Sequence, residues 1–331
     1  MGNVLQADNF SNEFVPKPKM SRRYFLTLSG ILSLATVTST WVSFAVNRCL
    51  EVRKYKFSKE KYGLKNPLKI VVLGDTHISS EKYHLDGNRE ATRVAIQACS
   101  DQNPDIVLFV GDACENPILF DPEPFSGIKK IGCPIVAILG NHDTITLKED
   151  NSVLIAPLVR KAFEDLGILL LRNKSITLNT NNNYINIVGI GSSIVMDKDG
   201  KYLKNGDTVP INNIIGKNRD KFLASGLNLF LAHEPSMIKM LKDTDIKFPL
   251  SVHGHTHGAS QFILWLKERI LKANFELGKI YNDGMKPYVV KDEYGKRVTQ
   301  VLTTGGVGSS SQFLSLKGRE GDATIEVINF V

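Results

Sequence analysis

Five short clusters of histidine, carboxylate and amide side chains, each just beyond a short apolar run, constrain this chain more than any other feature. They read Gly74-Asp75-Thr76-His77, Gly111-Asp112, Gly140-Asn141-His142-Asp143, Ala232-His233-Glu234-Pro235 and Gly254-His255-Thr256-His257-Gly258. The runs before them cover residues 70–73, 106–110, 135–139, 229–231 and 250–252. They are short, rich in branched aliphatics and bounded by glycine, proline or polar turns, as buried strands are. A sixth run covers 185–190. Residues 89–99, 155–166, 213–224 and 235–241 read as helices from their apolar spacing. Such alternation predicts an α/β architecture with buried sheets. Later runs at 288–290, 298–302 and 324–330 predict antiparallel strands closing a second sheet, and the polar stretch 179–183 predicts a hairpin loop.

The clusters have the chemistry of metal ligands. Asp75/His77 and His255/His257 are each spaced i, i+2, which in an extended segment sends both side chains to one face and lets each pair grip one ion. Carboxylate, imidazole and amide oxygen together suit borderline divalent ions such as Mn²⁺, Fe²⁺ or Zn²⁺. The preceding glycines let the backbone turn where a strand ends. Of seven histidines, five lie in the clusters and only His84 and His253 do not. A single histidine at a strand end is ordinarily structural; five gathered by one ordered pattern point to metal.

The ordered pattern, D-x-H, G-D, G-N-H-[DE], an isolated H and G-H-x-H, resembles the calcineurin-like metallophosphoesterases over residues 68–331. The resemblance implies a four-layer α/β/β/α sandwich of two mixed sheets with a dinuclear metal site at the strand ends. It implies Asp75, His77 and His257 on the first metal, Asn141, His233 and His255 on the second, and Asp112 bridging both. The ions would be two divalent cations, Mn²⁺ foremost, with Fe²⁺ or Zn²⁺ as alternatives. A hydroxide shared between them would attack phosphorus in line with the leaving oxygen. His142 would protonate the leaving group or stabilise the developing charge, and Asp143 would orient His142. Gly305-Gly306-Val307-Gly308-Ser309-Ser310 resembles the family's C-terminal glycine turn and lacks the Gly-Lys-Ser/Thr of a phosphate loop. Gly258-Ala259-Ser260-Gln261 departs by one residue from the G-G-Q of the exported bacterial branch, so Gln261 receives no role.

The N-terminal region has a different character. Residues 1–20 are polar and turn-rich and read as disordered. Residues 21–47 begin Ser21-Arg22-Arg23-Tyr24-Phe25-Leu26 and continue uncharged and largely apolar to Val46. A paired arginine before such a run resembles a bacterial twin-arginine export signal, and about 21 residues also suffice to span a bilayer. Ser43-Phe44-Ala45 is a small-x-small cleavage site, so a cleaved signal and an uncleaved anchor both remain open. Residues 48–67 read as a basic linker. The formal net charge is +7, but residues 1–61 hold ten Lys/Arg against four acids and account for +6 of it. The body is therefore near neutral, which disfavours nucleic acid as a partner. The four cysteines show no C-x-x-C spacing and read as free thiols.

These readings predict a membrane-associated bacterial enzyme, at the inner membrane or exported beyond it, that hydrolyses a phosphoester or pyrophosphate bond. The substrate would be a phosphorylated small molecule or a lipid-linked one, such as UDP-2,3-diacylglucosamine in lipid A assembly. The stretch 262–271, apolar and then basic, reads as a core-packed helix or as a lipid-facing lip. Alternatives are a broad extracytoplasmic phosphodiesterase or phosphatase, and a non-catalytic scaffold on the same fold, although no ligand position has been lost.

Overall fold

The computed structural model of the chain describes residues 9–13, 50–78, 86–117, 119–146, 153–155, 157–193, 195–197, 202–203, 209–224, 226–257, 284–308 and 323–331. The readings placed on 21–47, Gly258-Ala259-Ser260-Gln261, 262–271, Ser309-Ser310, Cys49 and His84 fall outside these residues. The first strands are β1 (Asn9–Glu13), β2 (Leu50–Phe57), β3 (Leu68–Leu73), β4 (Ile106–Val110), β5 (Ile135–Ile138), β6 (Thr144–Thr146), β7 (Val153–Ile155) and β8 (Leu169–Leu170). They are followed by β9 (Lys174–Thr180), β10 (Asn183–Gly189), β11 (Val195–Asp197), β12 (Tyr202–Leu203) and β13 (Leu227–Leu231). The last are β14 (Leu250–His253), β15 (Gly284–Asp292), β16 (Gly295–Thr303) and β17 (Ala323–Phe330). Among the described residues the α-helices are α1 (Asp86–Asp101), α2 (Pro157–Asp165), α3 (Ile211–Ile215) and α4 (Arg219–Leu223).

Seven strands form one sheet in the order β1-β2-β17-β3-β4-β5-β8, and six form a second in the order β15-β16-β14-β13-β10-β9. A third, smaller sheet runs β12-β11-β6-β7. Alternation along β3 shows how the layers arise. Val71 and Leu73 join a core with Ala95, Ile96, Val159 and Phe163 of α1 and α2. Ile70 and Val72 join a different core with Leu229, Leu231, Leu250 and Val252 of the second sheet. Beyond that sheet, Val188, Phe230 and Val301 pack on Ile211, Ile215 and Phe222, and on Ile238 and Leu241 of the 3₁₀ segment Pro235–Asp243. The order is thus helix, sheet, sheet, helix. Both main sheets are mixed: β3, β4 and β5 run parallel, while β17 is antiparallel to β3. Phe109 meets Phe125 and Phe163 edge-on in the first core, so truncating it to alanine costs about 3–5 kcal/mol.

The four-layer α/β/β/α fold matches the expectation, but five assignments need correction. The supposed basic linker holds β2, whose Leu50 and Val52 pack on the helix side while Tyr55 and Phe57 are buried between the sheets. Its lysines hid a period-two pattern. Asn9–Glu13, within the stretch read as disordered, pairs antiparallel with β2 and covers that strand's free edge. The run 324–330 was assigned to the second sheet; β17 instead lies in the first, parallel to β2 and antiparallel to β3. Its alternate residues, Ile325 and Val327 against Ile328 and Phe330, feed the two faces of that sheet. The predicted helix 213–224 is broken into α3, a 3₁₀ turn and α4, with Gly216 at φ 38° marking the break. Helix α2 starts at Pro157 rather than at 155, because Ile155 belongs to β7 and proline suits a first helical turn. The hairpin loop predicted at 179–183 joins β9 to β10, and Cys99, Cys114 and Cys133 are free thiols.

Candidate metal centre

All five clusters stand beyond the C-terminal ends of β3, β4, β5, β13 and β14, the edge where open α/β sheets leave room for ligands. Segments 75–78 and 111–115 run side by side, with His77 N–H donating to Asp112 O at 3.1 Å and Glu115 N–H to Ile78 O at 3.0 Å. The approach is close: a Cβ on Gly140 would lie 2.0 Å from Asp112 Oδ1, so this position admits glycine alone. The glycine turn after β16 packs on the first ligand loop, where Val307 N–H donates to Gly74 O and Gly308 N–H to Asp75 O.

The i, i+2 pairs differ from the extended geometry expected of them. Asp75, His77, Asp112, His255 and His257 all have positive φ, between 46° and 74°. Asp and His tolerate this left-handed region better than most residues, at an energetic cost, and such strain concentrates at functional sites. Asp75 and His77 do converge, joined by Asp112 and His257 with ligand atoms within 4.8 Å of one another. His255 and His257 diverge, since His255 groups with Asp112 and His233 instead. Asn141 completes that second group, its Oδ1 lying 3.2 Å from His255 Nδ1. Asp112 is common to both.

Tautomers follow from the hydrogen bonds. His233 Nδ1–H donates to Val110 O at 2.7 Å, and His77 Nδ1–H donates to Glu115 Oε2 at 2.8 Å. Each Nε2 is thereby left as a lone pair aimed inward. His77 Nε2 and His257 Nε2 face each other at 3.0 Å, and the buried His233 Nε2 makes no hydrogen bond while lying 3.0 Å from Asp112 Oδ2. Inward-facing lone pairs around a buried carboxylate are what a divalent cation satisfies, so the donor set fits the expected ions. Burial opposes ionisation of Asp112, yet His233 first, then His142 and His77, hold its carboxyl well below the ordinary range. Burial pushes His77 down, and burial with His233 pushes His255 down to about 3.

His142 and Asp143 occupy the same edge. His142 donates its backbone N–H to Asp112 Oδ1 at 2.9 Å and its Nδ1–H to Glu115 O at 2.9 Å. Burial works against protonation of His142, but Asp112 and Glu115 together raise its pKa above the usual value. Asp143 does not orient that ring, contrary to expectation. Its carboxylate accepts from Gly140 N–H at 2.9 Å, from Cys114 N–H at 3.2 Å and from the Cys114 thiol at 3.3 Å. It therefore ties the loop after β5 to the loop after β4. Burial, followed by the nearby Asp112, raises its carboxyl to about 6.

Glu115 is the residue that sequence reasoning missed. Its carboxylate orients one imidazole and its carbonyl another, and His77, Glu115 and His142 form a third close group. The available signal was an acid three residues after Asp112, a spacing with no meaning until the loop is folded. Glu234 is also buried, and accepts from the Ser192 hydroxyl and from Ser193 N–H.

A four-layer sandwich with a shared carboxylate between two such groups defines a metallophosphoesterase. The calcineurin-like phosphoesterase family matches residues 68–259, and the chain belongs to it. It is similar to the Bacillus subtilis metallophosphoesterase YkoQ, 25% identical over 283 residues covering 80% of this chain and 92% of that one. It is likewise similar to YkuE of the same organism, 26% identical over 281 residues covering 81% and 86%. Among solved structures it is similar to a dimetal phosphatase from Danio rerio, at 11% identity and TM-score 0.39, covering 73% of this chain and 88% of that one. The protein is a phosphoester hydrolase.

Proposed function

We propose that this enzyme hydrolyses a phosphodiester or pyrophosphate bond in a substrate met at a membrane surface, with Mn²⁺ as the working metal and Fe²⁺ or Zn²⁺ as substitutes. The observation that carries the chemistry is the Asp112 carboxylate, shared by the Asp75, His77, His257 group and the His233, His255 group. The first group with Asp112 would hold one ion, and Asn141, His233, His255 and Asp112 the other. When bound, such a pair polarises phosphoryl oxygens and lowers the pKa of water. The chain's own residues do the rest. His142, fixed through Nδ1, presents Nε2 to the leaving oxygen and delivers its proton there. Glu115 holds His77 in the tautomer that offers Nε2 inward. Asp143 keeps the two loops together.

The lipid-linked reading, with UDP-2,3-diacylglucosamine as its concrete case, is supported by the apolar sequence 262–271 immediately downstream of His255 and His257. Among the described residues no helix is long and apolar enough to cross a membrane; the membrane reading rests on the sequence of 21–47. The test is a panel of UDP-lipid, phosphodiester and phosphomonoester substrates, run after chelation and again with Mn²⁺ added back. Hydrolysis that survives chelation would sink the metal mechanism, and equal rates on lipid-free diesters would favour the broad phosphodiesterase. Fractionation of an Arg22→Lys, Arg23→Lys variant tests export: unchanged extracytoplasmic protein would exclude a twin-arginine route.

A further inference from the structure

Six chain ends meet at the edge that carries the ligand groups. Because β17 is antiparallel to β3 and β2 is parallel to β17, both begin there: Ala323 pairs with Leu50, and Thr324 N–H donates to Gly306 O at 3.0 Å. Gly306 approaches the first ligand loop so closely that a Cβ on it would lie 2.7 Å from Asp75 Cβ. β1 is antiparallel to β2 and so ends at the same edge, with Glu13 opposite Val52. β16 is parallel to β14 and runs out to Gly308, whose N–H donates to Asp75 O at 2.7 Å, while Gly284 opens β15 opposite Thr303. Together with His257, these ends bound three stretches of sequence, 14–49, 258–283 and 309–322, each leaving and rejoining the fold beside the ligand groups. The opposite edge differs: β9 turns into β10 through Asn181 and Asn182, and β15 into β16 through Glu293 and Tyr294. Leu50 stands two strands from β3, roughly 10 Å to the side of the Asp75 loop at the usual spacing of neighbouring strands.

The composition of these stretches points to one occupant. Residues 14–49 hold five Lys/Arg and no acid, and 24–46 within them are uncharged and largely apolar. The stretch 258–283 contains Phe262-Ile263-Leu264-Trp265-Leu266, followed by Lys267, Arg269 and Lys272. Apolar runs with Lys/Arg beside them are what an anionic bilayer binds. Strand pairing decides the path. β1 and β2 are neighbours, so Glu13 and Leu50 stand on one side of any membrane. The uncharged run is too short to cross and return, since one helical crossing takes about 20 residues. The flanks agree: Lys17, Lys19, Arg22 and Arg23 precede the run and Arg48, Arg53, Lys54 and Lys56 follow it, without the one-sided excess that orients a crossing segment. We propose that the metal edge is the protein's docking surface for an anionic lipid bilayer, with 14–49 entering the interface and returning on the same side. The docking deepens the phosphoester reading above by putting the ligand groups beside the headgroups, and rests on it only for what is hydrolysed there.

Both tryptophans of the chain, Trp41 and Trp265, lie in these stretches and report on the docking directly. The full-length protein is bound to vesicles of phosphatidylcholine and phosphatidylglycerol whose acyl chains carry bromine, a collisional quencher of indole. In the Trp41→Phe variant Trp265 is the remaining indole, and about half of its emission should be lost, as for a group about 5–10 Å into the headgroup and acyl boundary. An unquenched Trp265 in vesicle-bound protein would overturn the proposal, because the metal edge would then face away from the lipid. So would wild-type protein that fails to sediment with these vesicles. The path of the chain is read from Ser11→Cys combined with Lys54→Cys, two positions paired across β1 and β2. Their disulfide should form on the vesicles and give a mobility shift that neither single variant shows. Its failure to form there would overturn the same-side path. Protein that docks in this way but hydrolyses no phosphoester would overturn the reaction proposed above and leave the docking standing, whereas hydrolysis without docking would do the reverse.

Discussion

His233 and His253 are two buried histidines on neighbouring strand ends, and they begin alike. Each Nδ1–H donates to a backbone carbonyl, Val110 O at 2.7 Å for His233 and Ala232 O at 2.8 Å for His253. Each therefore carries its lone pair on Nε2. What stands opposite that nitrogen separates them. His253 Nε2 faces the Ser251 hydroxyl at 2.6 Å, and burial pushes its pKa down to about 3. His233 Nε2 faces Asp112 Oδ2 at 3.0 Å, the buried carboxylate that both ligand groups share. A neutral donor makes a closed hydrogen bond and a structural residue; a buried anion makes a place for positive charge. The tautomer is common to both, and the partner decides the function.

The largest effect is expected from removing that partner. Asp112→Ala should lose metal and hydrolysis together, measured by elemental analysis and initial rates on the same preparation. Full metal content with full activity would break the comparison. Next, His142→Ala should keep its metal, because its ring is held outside the two ligand groups, yet lose about 10²–10⁴-fold in turnover. The loss should be greater on an alkyl phosphodiester than on a nucleotide diphosphate, whose leaving phosphate is already a weak base. A metal loss as severe as that of Asp112→Ala would show that His142 is a ligand.

A smaller change is expected at Glu115. Glu115→Ala should weaken metal affinity or activity by about 10–100-fold, the range for a group that orients a ligand. Glu115→Gln, which keeps an acceptor for His77 Nδ1–H, should recover much of it. Equal losses in the two variants would mean that the negative charge, rather than the hydrogen bond, is what His77 requires. The smallest catalytic effect belongs to His253→Ala. That variant should lose about 2–4 kcal/mol of stability through a cavity and two stranded polar groups. Its activity per folded molecule should hold. Denaturant midpoints and metal content separate the two outcomes, and a loss of metal at unchanged stability would erase the distinction between the histidines.

Much of the fold was legible because buried strands advertise themselves. The runs at 70–73, 106–110, 135–139, 185–190, 229–231, 250–252 and 324–330 are strands within about two residues, since strands such as β3, β4, β5, β13 and β14 are buried on both faces and tolerate little else, whereas β15 and β16 begin three to four residues before the runs at 288–290 and 298–302. The failures occurred where another interaction decides. β2 was masked by lysines on a strand near the edge of its sheet, and sheet membership of β17 was set by a pairing more than 250 residues distant in sequence. The third sheet was missed because its strands of two or three residues carry no period to read.

The site divides in the same way. Sequence alone identified the seven ligand candidates and His142, because histidine, carboxylate and amide residues recur after strands in a fixed order. That is a chemical signal that needs no coordinates. Only the tertiary structure decided that Asp143 ties loops rather than orienting a ring, and that Glu115 belongs to the site. Each of these depends on backbone turns with positive φ and on hydrogen bonds between loops from different strands. Spacing along a chain fixes which residues are close in sequence. Which atoms face one another across a gap of about 3 Å is fixed by the packing of the two sheets that carry them.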